Sequence, residues 1–174
     1  MCRRTLLLAV FLHGLAAFAQ PDTLYVADDQ GTVNALPVVY PPLKNEVAFI
    51  HMGHYAHDTT KLAVRMQFKR GKPSGIYRAY YPDGRPLIFA VYGWGSLHGD
   101  WTEYDRQGRV SVKGQYSNGL RHGTWTFRSE GIIGHYKKGL RHGRWKYYEN
   151  DRVVRREKYH KDKLKTGSTF LLGK

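Results

Sequence analysis

The sequence predicts an all-β fold: an elongated single sheet of successive antiparallel hairpins following a cleaved signal peptide. Three observations predict it. The line Tyr116-Ser-Asn-Gly-Leu-Arg-His-Gly-Thr-Trp125 returns twenty residues later as Tyr136-Lys-Lys-Gly-Leu-Arg-His-Gly-Arg-Trp145, with seven of ten positions identical. Such an internal repeat fixes architecture ahead of local propensity. Aromatic residues make up 14% of the chain and glycines number 19, and both concentrate in the repeat. Beyond the leader no long 3.6-residue periodicity appears, whereas β-branched and aromatic residues are abundant.

In chain order, residues 1–19 read as a signal peptide. Arg3 and Arg4 precede the apolar run Thr5 to Leu12, and Ala17-Phe-Ala19 is a small-x-small cleavage box. Cys2 lies before the apolar run, so the mature chain has no cysteine and depends on burial and backbone pairing alone. Residues 20–67 form an N-terminal β segment capping the array. Within it Thr23 to Val26, Val47 to Met52 and Leu62 to Phe68 are expected strands. Pro37, Pro41 and Pro42 make Leu36 to Lys44 an expected crossing loop.

The array covers 68–174, in copies at about 68–91, 92–115, 116–135 and 136–158, with a degraded copy at 159–170. Each full copy has an aromatic residue, a glycine three later, a second glycine four after that, and Trp or Tyr two further on. The structural positions are Gly71, Gly75 and Tyr77, then Tyr92, Gly95, Gly99 and Trp101, then Tyr116, Gly119, Gly123 and Trp125, then Tyr136, Gly139, Gly143 and Trp145. The glycines supply positive φ or close backbone approach, and the aromatics supply the burial a one-layer sheet otherwise lacks. Pro82 to Gly84, Asp105 to Gly108 and Glu149 to Asp151 are turns at one end of the hairpins, and Ser117 to Gly119 is a turn at the other.

The pattern Tyr-x-x-Gly-x-x-x-Gly-x-Trp at Tyr116 to Trp125 and Tyr136 to Trp145 resembles the MORN repeat, in particular its diverged bacterial form often described as a repeat antitoxin. The resemblance covers roughly 68–170. It extends to the pairs His98-Gly99, His122-Gly123 and His142-Gly143, with Ser74-Gly75 in the first copy. It implies a twisted hairpin array used for scaffolding, protein contact or anionic-lipid binding, without catalysis and without a cofactor.

The charge is uneven. Residues 20–108 carry nine basic and nine acidic side chains, whereas 109–174 carry seventeen basic and five acidic. A basic half points to an anionic partner: lipid headgroups, lipopolysaccharide, a wall polymer or an acidic protein. The same charge also protects exposed strands from aggregation. Export disfavours nucleic acid. The expected binding stripe is Arg121 and Arg141, at one repeat position, with Lys137, Lys138, Arg144, Tyr147 and Tyr148, cations interleaved with aromatics. Open sheet ends also invite a homodimer.

Metal chemistry has less support. One hairpin advances the sheet by roughly 9–10 Å, too far for equivalent histidines of successive copies to share one zinc ion, whose ligand nitrogens lie about 2.0–2.1 Å away. His51, His54 and His57 are the better candidates, because three imidazoles and Asp58 fall within eight residues. A loop is expected there; in a strand, His54 faces away from His51. For catalysis there is no cysteine after cleavage and no nucleophile-elbow serine, and most acids sit in turns. The expected function is a non-catalytic exported binding or scaffold module. The rivals are an immunity protein neutralising a toxin outside the cytoplasm and, with less support, an envelope hydrolase using two carboxylates.

Overall fold

A computed structural model describes residues 22–27, 33–40, 43 and 45–169. The expected signal peptide at 1–19 lies outside them. Among the described residues there is no helix, and none long and apolar enough to cross a membrane. The strands are β1 (Asp22–Ala27), β2 (Val33–Val39), β3 (Ala48–Tyr55), β4 (Asp58–Lys69), β5 (Lys72–Tyr80), β6 (Pro86–Gly93) and β7 (Ser96–Tyr104). They continue as β8 (Val110–Ser117), β9 (Leu120–Phe127), β10 (Ile132–Lys137), β11 (Leu140–Arg141), β12 (Gly143–Glu149), β13 (Arg152–His160) and β14 (Lys163–Thr169). Every strand pairs antiparallel with its sequence neighbour in one open sheet; β10 pairs with both β11 and β12. The all-β hairpin array is therefore the observed architecture, and the N-terminal segment runs into the same sheet through the β4–β5 pairing.

The first glycine of each copy sits in a two-residue hairpin turn. Arg70-Gly71, Trp94-Gly95, Asn118-Gly119 and Lys138-Gly139 are left-handed at both positions, with φ of 51–55° and then 70–89°. This is the type I′ geometry whose twist matches that of paired strands, and glycine at its second position avoids the Cβ penalty. In the degraded copy Lys161-Asp162 adopts the same conformation without glycine, at φ 50° and 62°. Successive turns are joined by backbone bonds: Gly95, Gly119 and Gly139 donate N–H to Pro73, Leu97 and Arg121 carbonyls at 2.8–2.9 Å, and Asp162 donates to Arg141 at 3.0 Å. The second glycines, Gly75, Gly99, Gly123 and Gly143, also have positive φ, of 71–113°. The first three lie where the ladders slip register, so they are bulge residues.

The repeat aromatics pack on each other. Rings of Trp101, Tyr116, Trp125, Tyr136, Trp145 and Tyr159 form consecutive edge-to-face contacts with centroids 5.1–6.1 Å apart. Trp125 is completely buried. Each such pair contributes about 0.5–1.5 kcal/mol beyond area burial. Two glycines outside the repeat signature make room for the rings. A Cβ on Gly114 would fall 2.2 Å from the Trp125 ring, and one on Gly134 would fall 2.3 Å from that of Trp145. Each indole N–H then donates to the carbonyl of the residue after its glycine: Trp125 to Gln115 at 3.1 Å and Trp145 to His135 at 3.3 Å. Opposite Trp101 the register places Ala90, and that indole donates to the Glu103 carboxylate at 2.8 Å instead.

Two local expectations are corrected. Leu36 to Val39 is strand: Pro37 sits within β2, opposite Thr23. Proline is tolerated there because β2 pairs with β3 only through Val38 and Val39, while the Pro37 carbonyl accepts the Ala56 N–H at 2.8 Å. The 51–57 stretch is not a loop. His51 and His54 belong to β3, and His57 lies in the turn before β4.

Candidate functional site

Because strand side chains alternate, the ladder registers sort each residue onto a face. One face carries the row Tyr77, Ala90, Trp101 and Gly114, then Trp125 and Gly134, then Trp145, Glu157 and Gly167. The opposite face carries the row Lys113, Thr126, Ile133, Lys146 and Arg156, with Arg144, Lys158 and Thr166 in register beside it. The basic half of the chain thus folds into one aromatic and one cationic face.

The predicted stripe divides between them. Arg121 is half-buried on the aromatic side, its guanidinium 4.5 Å from the Trp125 ring centre and 5.4 Å from that of Tyr136. It donates to the Tyr136 hydroxyl at 3.3 Å. Burial opposes its charge, but Tyr116 and Tyr136 outweigh that and hold its pKa above the ordinary value. Arg141 repeats the arrangement, 5.7 Å from Trp145 and 4.0 Å from Tyr159, with an ion pair to Asp162 at 3.5 Å. These two arginines cover the aromatic ladder. Tyr147 also faces that side: its hydroxyl and that of Tyr159 donate to Glu157, and Arg155 lies over the Tyr147 ring and pairs with Glu157 at 3.5 Å. Burial alone would raise the Glu157 pKa, but the two hydroxyls and Arg155 bring it below the usual carboxylate range. Lys137 and Lys138 are exposed at the β10 turn, and Tyr148 falls at the register slip between β12 and β13.

By alternation from Tyr136, Lys137 falls on the cationic face, and the stripe's Arg144 lies there too. Arg144 borders a shallow groove with Lys146, Arg156, Lys158 and Thr166, which Trp145, Glu157 and Gly167 also line. Arg144, Lys146, Arg156 and Lys158 are all exposed. Lys113 continues this face beside Val110, Ser111, Thr126 and Arg128. Among the described residues Lys113, Arg144, Lys146 and Lys158 make no ion pair.

Among the described acids of this half, Glu157 alone lines the groove. Glu157 is on the aromatic side, Asp162 accepts from the Arg141 N–H at 2.8 Å, and Glu130, Glu149 and Asp151 lie at the hairpin ends away from the type I′ glycine turns. Sequence reasoning did not single out Lys146, Arg156 or Lys158, nor Gly114 and Gly134. The signals were the alternations Arg144-x-Lys146 and Arg156-x-Lys158, and the dipeptide spacing Gly114-x-Tyr116 and Gly134-x-Tyr136.

The histidine candidates do not converge. His51 is buried and stacks on Tyr40 at 4.8 Å, its neighbour His54 in β3 pairs with Leu62, and His57 is exposed beside Tyr55. Among the described residues no three His, Cys, Asp or Glu side chains gather as metal ligands. Glu103 and Glu157 are the strand carboxylates of the array on the aromatic side. They are five strands apart, roughly 24 Å at 4.7–4.9 Å per strand, beyond the roughly 5–10 Å that a hydrolytic carboxylate pair requires. Asp58, Asp83 and Asp105 accept backbone N–H groups of their own turns.

No family model matches the chain, and no curated protein matches it. Among solved structures, the chain is similar to the "GtfA/B complex" at 12% identity and a TM-score of 0.36, over 68% of this chain and 22% of that one. It is similar to a TarM mutant from S. aureus, in complex with Fondaparinux, alpha-GlcNAc-glycerol and UDP, at 11% identity and a TM-score of 0.21, over 65% and 21%. The chain spans about a fifth of each. At these TM-scores neither likeness bears on function.

Proposed function

We propose that this chain is an exported, non-catalytic repeat protein of MORN type that binds phosphate groups of an anionic envelope component through its cationic face. The observation that carries the reading is the placement of Arg144, Lys146, Arg156 and Lys158 around one groove, opposite the face that packs on itself. Exposed cations around a groove whose carboxylate, Glu157, is engaged by Tyr147, Tyr159 and Arg155 attract phosphate, and arginine adds planar two-point contacts. The separation of Glu103 from Glu157 and the turn roles of the aspartates support binding over hydrolysis. The leader pattern at 1–19 supports export. Lys163 and Lys165, exposed on the terminal strand β14, put charge on that edge and oppose homodimerisation there.

The test is binding of two phosphate probes, a soluble polyphosphate and vesicles containing an anionic phospholipid, across a salt series. Affinity falling steeply with salt, and lost when Arg144, Lys146, Arg156 and Lys158 are changed to Ser, supports the reading. A preference for one probe identifies polymer or headgroup as the source. A partner retained at high salt by the Ser variant overturns it and favours an immunity-type protein contact.

A further inference from the structure

Beside the cationic groove lies a band of imidazoles that the proposed function leaves unused. His135 alternates with Gly134 and Tyr136, which face the aromatic ladder, so it faces the cationic side; His160 does so next to Tyr159. The His142 and His160 rings are 5.0 Å apart. His122 pairs with Gln115 on β8, and its charge is felt at His135 together with that of His142. Four imidazoles from β9, β10, the β11–β12 link and β13 therefore stand on or beside the face that carries Arg144 and Lys158. Two belong to the repeated His-Gly pair, and His135 and His160 stand on the intervening strands.

The charged groups facing this band are cations: Lys137 on β10, Lys161 in the last turn, Lys165 on β14, and Arg144 and Lys158 in the groove. The carboxylates near it are engaged elsewhere. Asp162 bonds Arg141, and Asp100, two strands from His122, accepts from the Gln115 amide at 3.1 Å. Protonating the band without a ligand adds charge to charge. Protonating it with phosphate in the groove adds attraction.

We propose that phosphate binding at this face takes up protons on His135 and His160, so that acidification tightens the grip. This rests on the proposed phosphate site. The electrostatics run the same way. Burial first, then His122, His142 and Lys137, hold the His135 pKa below its ordinary value; burial, His142, Lys161, Lys165 and Lys137 do so for His160. A bound anion opposes those cations and raises both. Linkage then requires affinity to rise as pH falls through the imidazole range. The ligand-free protein runs the other way: a base with a depressed native pKa costs stability as pH falls, so phosphate should protect the fold most in acid.

The experiment is calorimetric titration of the protein with polyphosphate in two buffers of different ionisation enthalpy near about pH 6.5, which counts protons, with affinities at about pH 7.5 and about pH 5.5. The expected result is net uptake of at least about one proton and tightening on the order of tenfold between the two pH values. Both are lost in the His135 and His160→Gln variant, while affinity at the higher pH is kept. A second variant changing only His160 to Gln guards against misfolding and should lose part of the uptake. Uptake near zero in the original chain, or unchanged in both variants, overturns the inference and leaves the phosphate site standing. No polyphosphate binding at either pH, with vesicle binding also absent, overturns both.

Discussion

Alternate residues of the C-terminal strands do opposite work. On one face Trp125, Tyr136, Trp145 and Tyr159 are buried or half-buried against each other and roofed by Arg121 and Arg141. One residue along each strand, Arg144, Lys146, Arg156 and Lys158 stand in solvent around a groove. The same cation types occur on both faces, so residue type alone does not mark function. Arg121 and Arg141 are engaged with rings and contribute chiefly to the fold; the four groove cations are exposed, and Arg144, Lys146 and Lys158 make no ion pair among the described residues.

The comparison is sharpened first by removing its aromatic half. Trp125→Ala should cost about 3–5 kcal/mol of stability, because a fully buried indole leaves a cavity; urea denaturation followed by circular dichroism measures it. Gly134→Ala attacks the same face from beneath. Its Cβ would land 2.3 Å from the Trp145 ring, so the indole must lift, at a cost of about 1–3 kcal/mol. Gly71→Ala, which has open space but a φ of 70°, should cost less, about 1 kcal/mol. Equal losses at the two glycines would mean that turn conformation, and not ring seating, sets the requirement.

Glu157→Gln addresses the place where an acid enters the aromatic row. Since the native carboxylate is held below its ordinary pKa, its stabilisation is present above the carboxylate range and lost as pH falls through it. The stability difference between the original chain and the variant should therefore shrink on acidification, read from melting temperatures in a pH series. The smallest effect is expected at Trp94, 89% exposed in a left-handed turn position. Trp94→Asn should stabilise by up to about 1 kcal/mol, since asparagine tolerates that conformation.

The hairpin array was legible because repeat spacing and alternation are properties of the chain itself. The sequence marked a turn at Ser117 to Gly119 but not its type I′ form, and Lys161-Asp162 shows that the conformation persists where the glycine is missing. Strand β2 was hidden because Pro37 looks like a breaker unless one knows that its N side is unpaired. The placement of the expected stripe was only partly legible. Repeat position grouped Arg121 with Arg141, but assigning them to a face requires the bulge at Gly123 and the break between β11 and β12 before Gly143, which change how arginine and tryptophan meet. The groove cations were obscured because Lys146, Arg156 and Lys158 lie outside the signature that drew attention to the repeat.

The most direct test of the two-face account compares two variants in one assay pair: Arg121/Arg141→Ala against Lys146/Lys158→Ala, each measured for urea midpoint and for polyphosphate affinity at low salt. The account predicts a lowered midpoint with binding retained for the first, and a midpoint corresponding to a stability within about 0.5 kcal/mol of the original, with binding lost, for the second. Loss of binding in the arginine pair with affinity retained in the lysine pair would contradict it and return the working surface to the aromatic face.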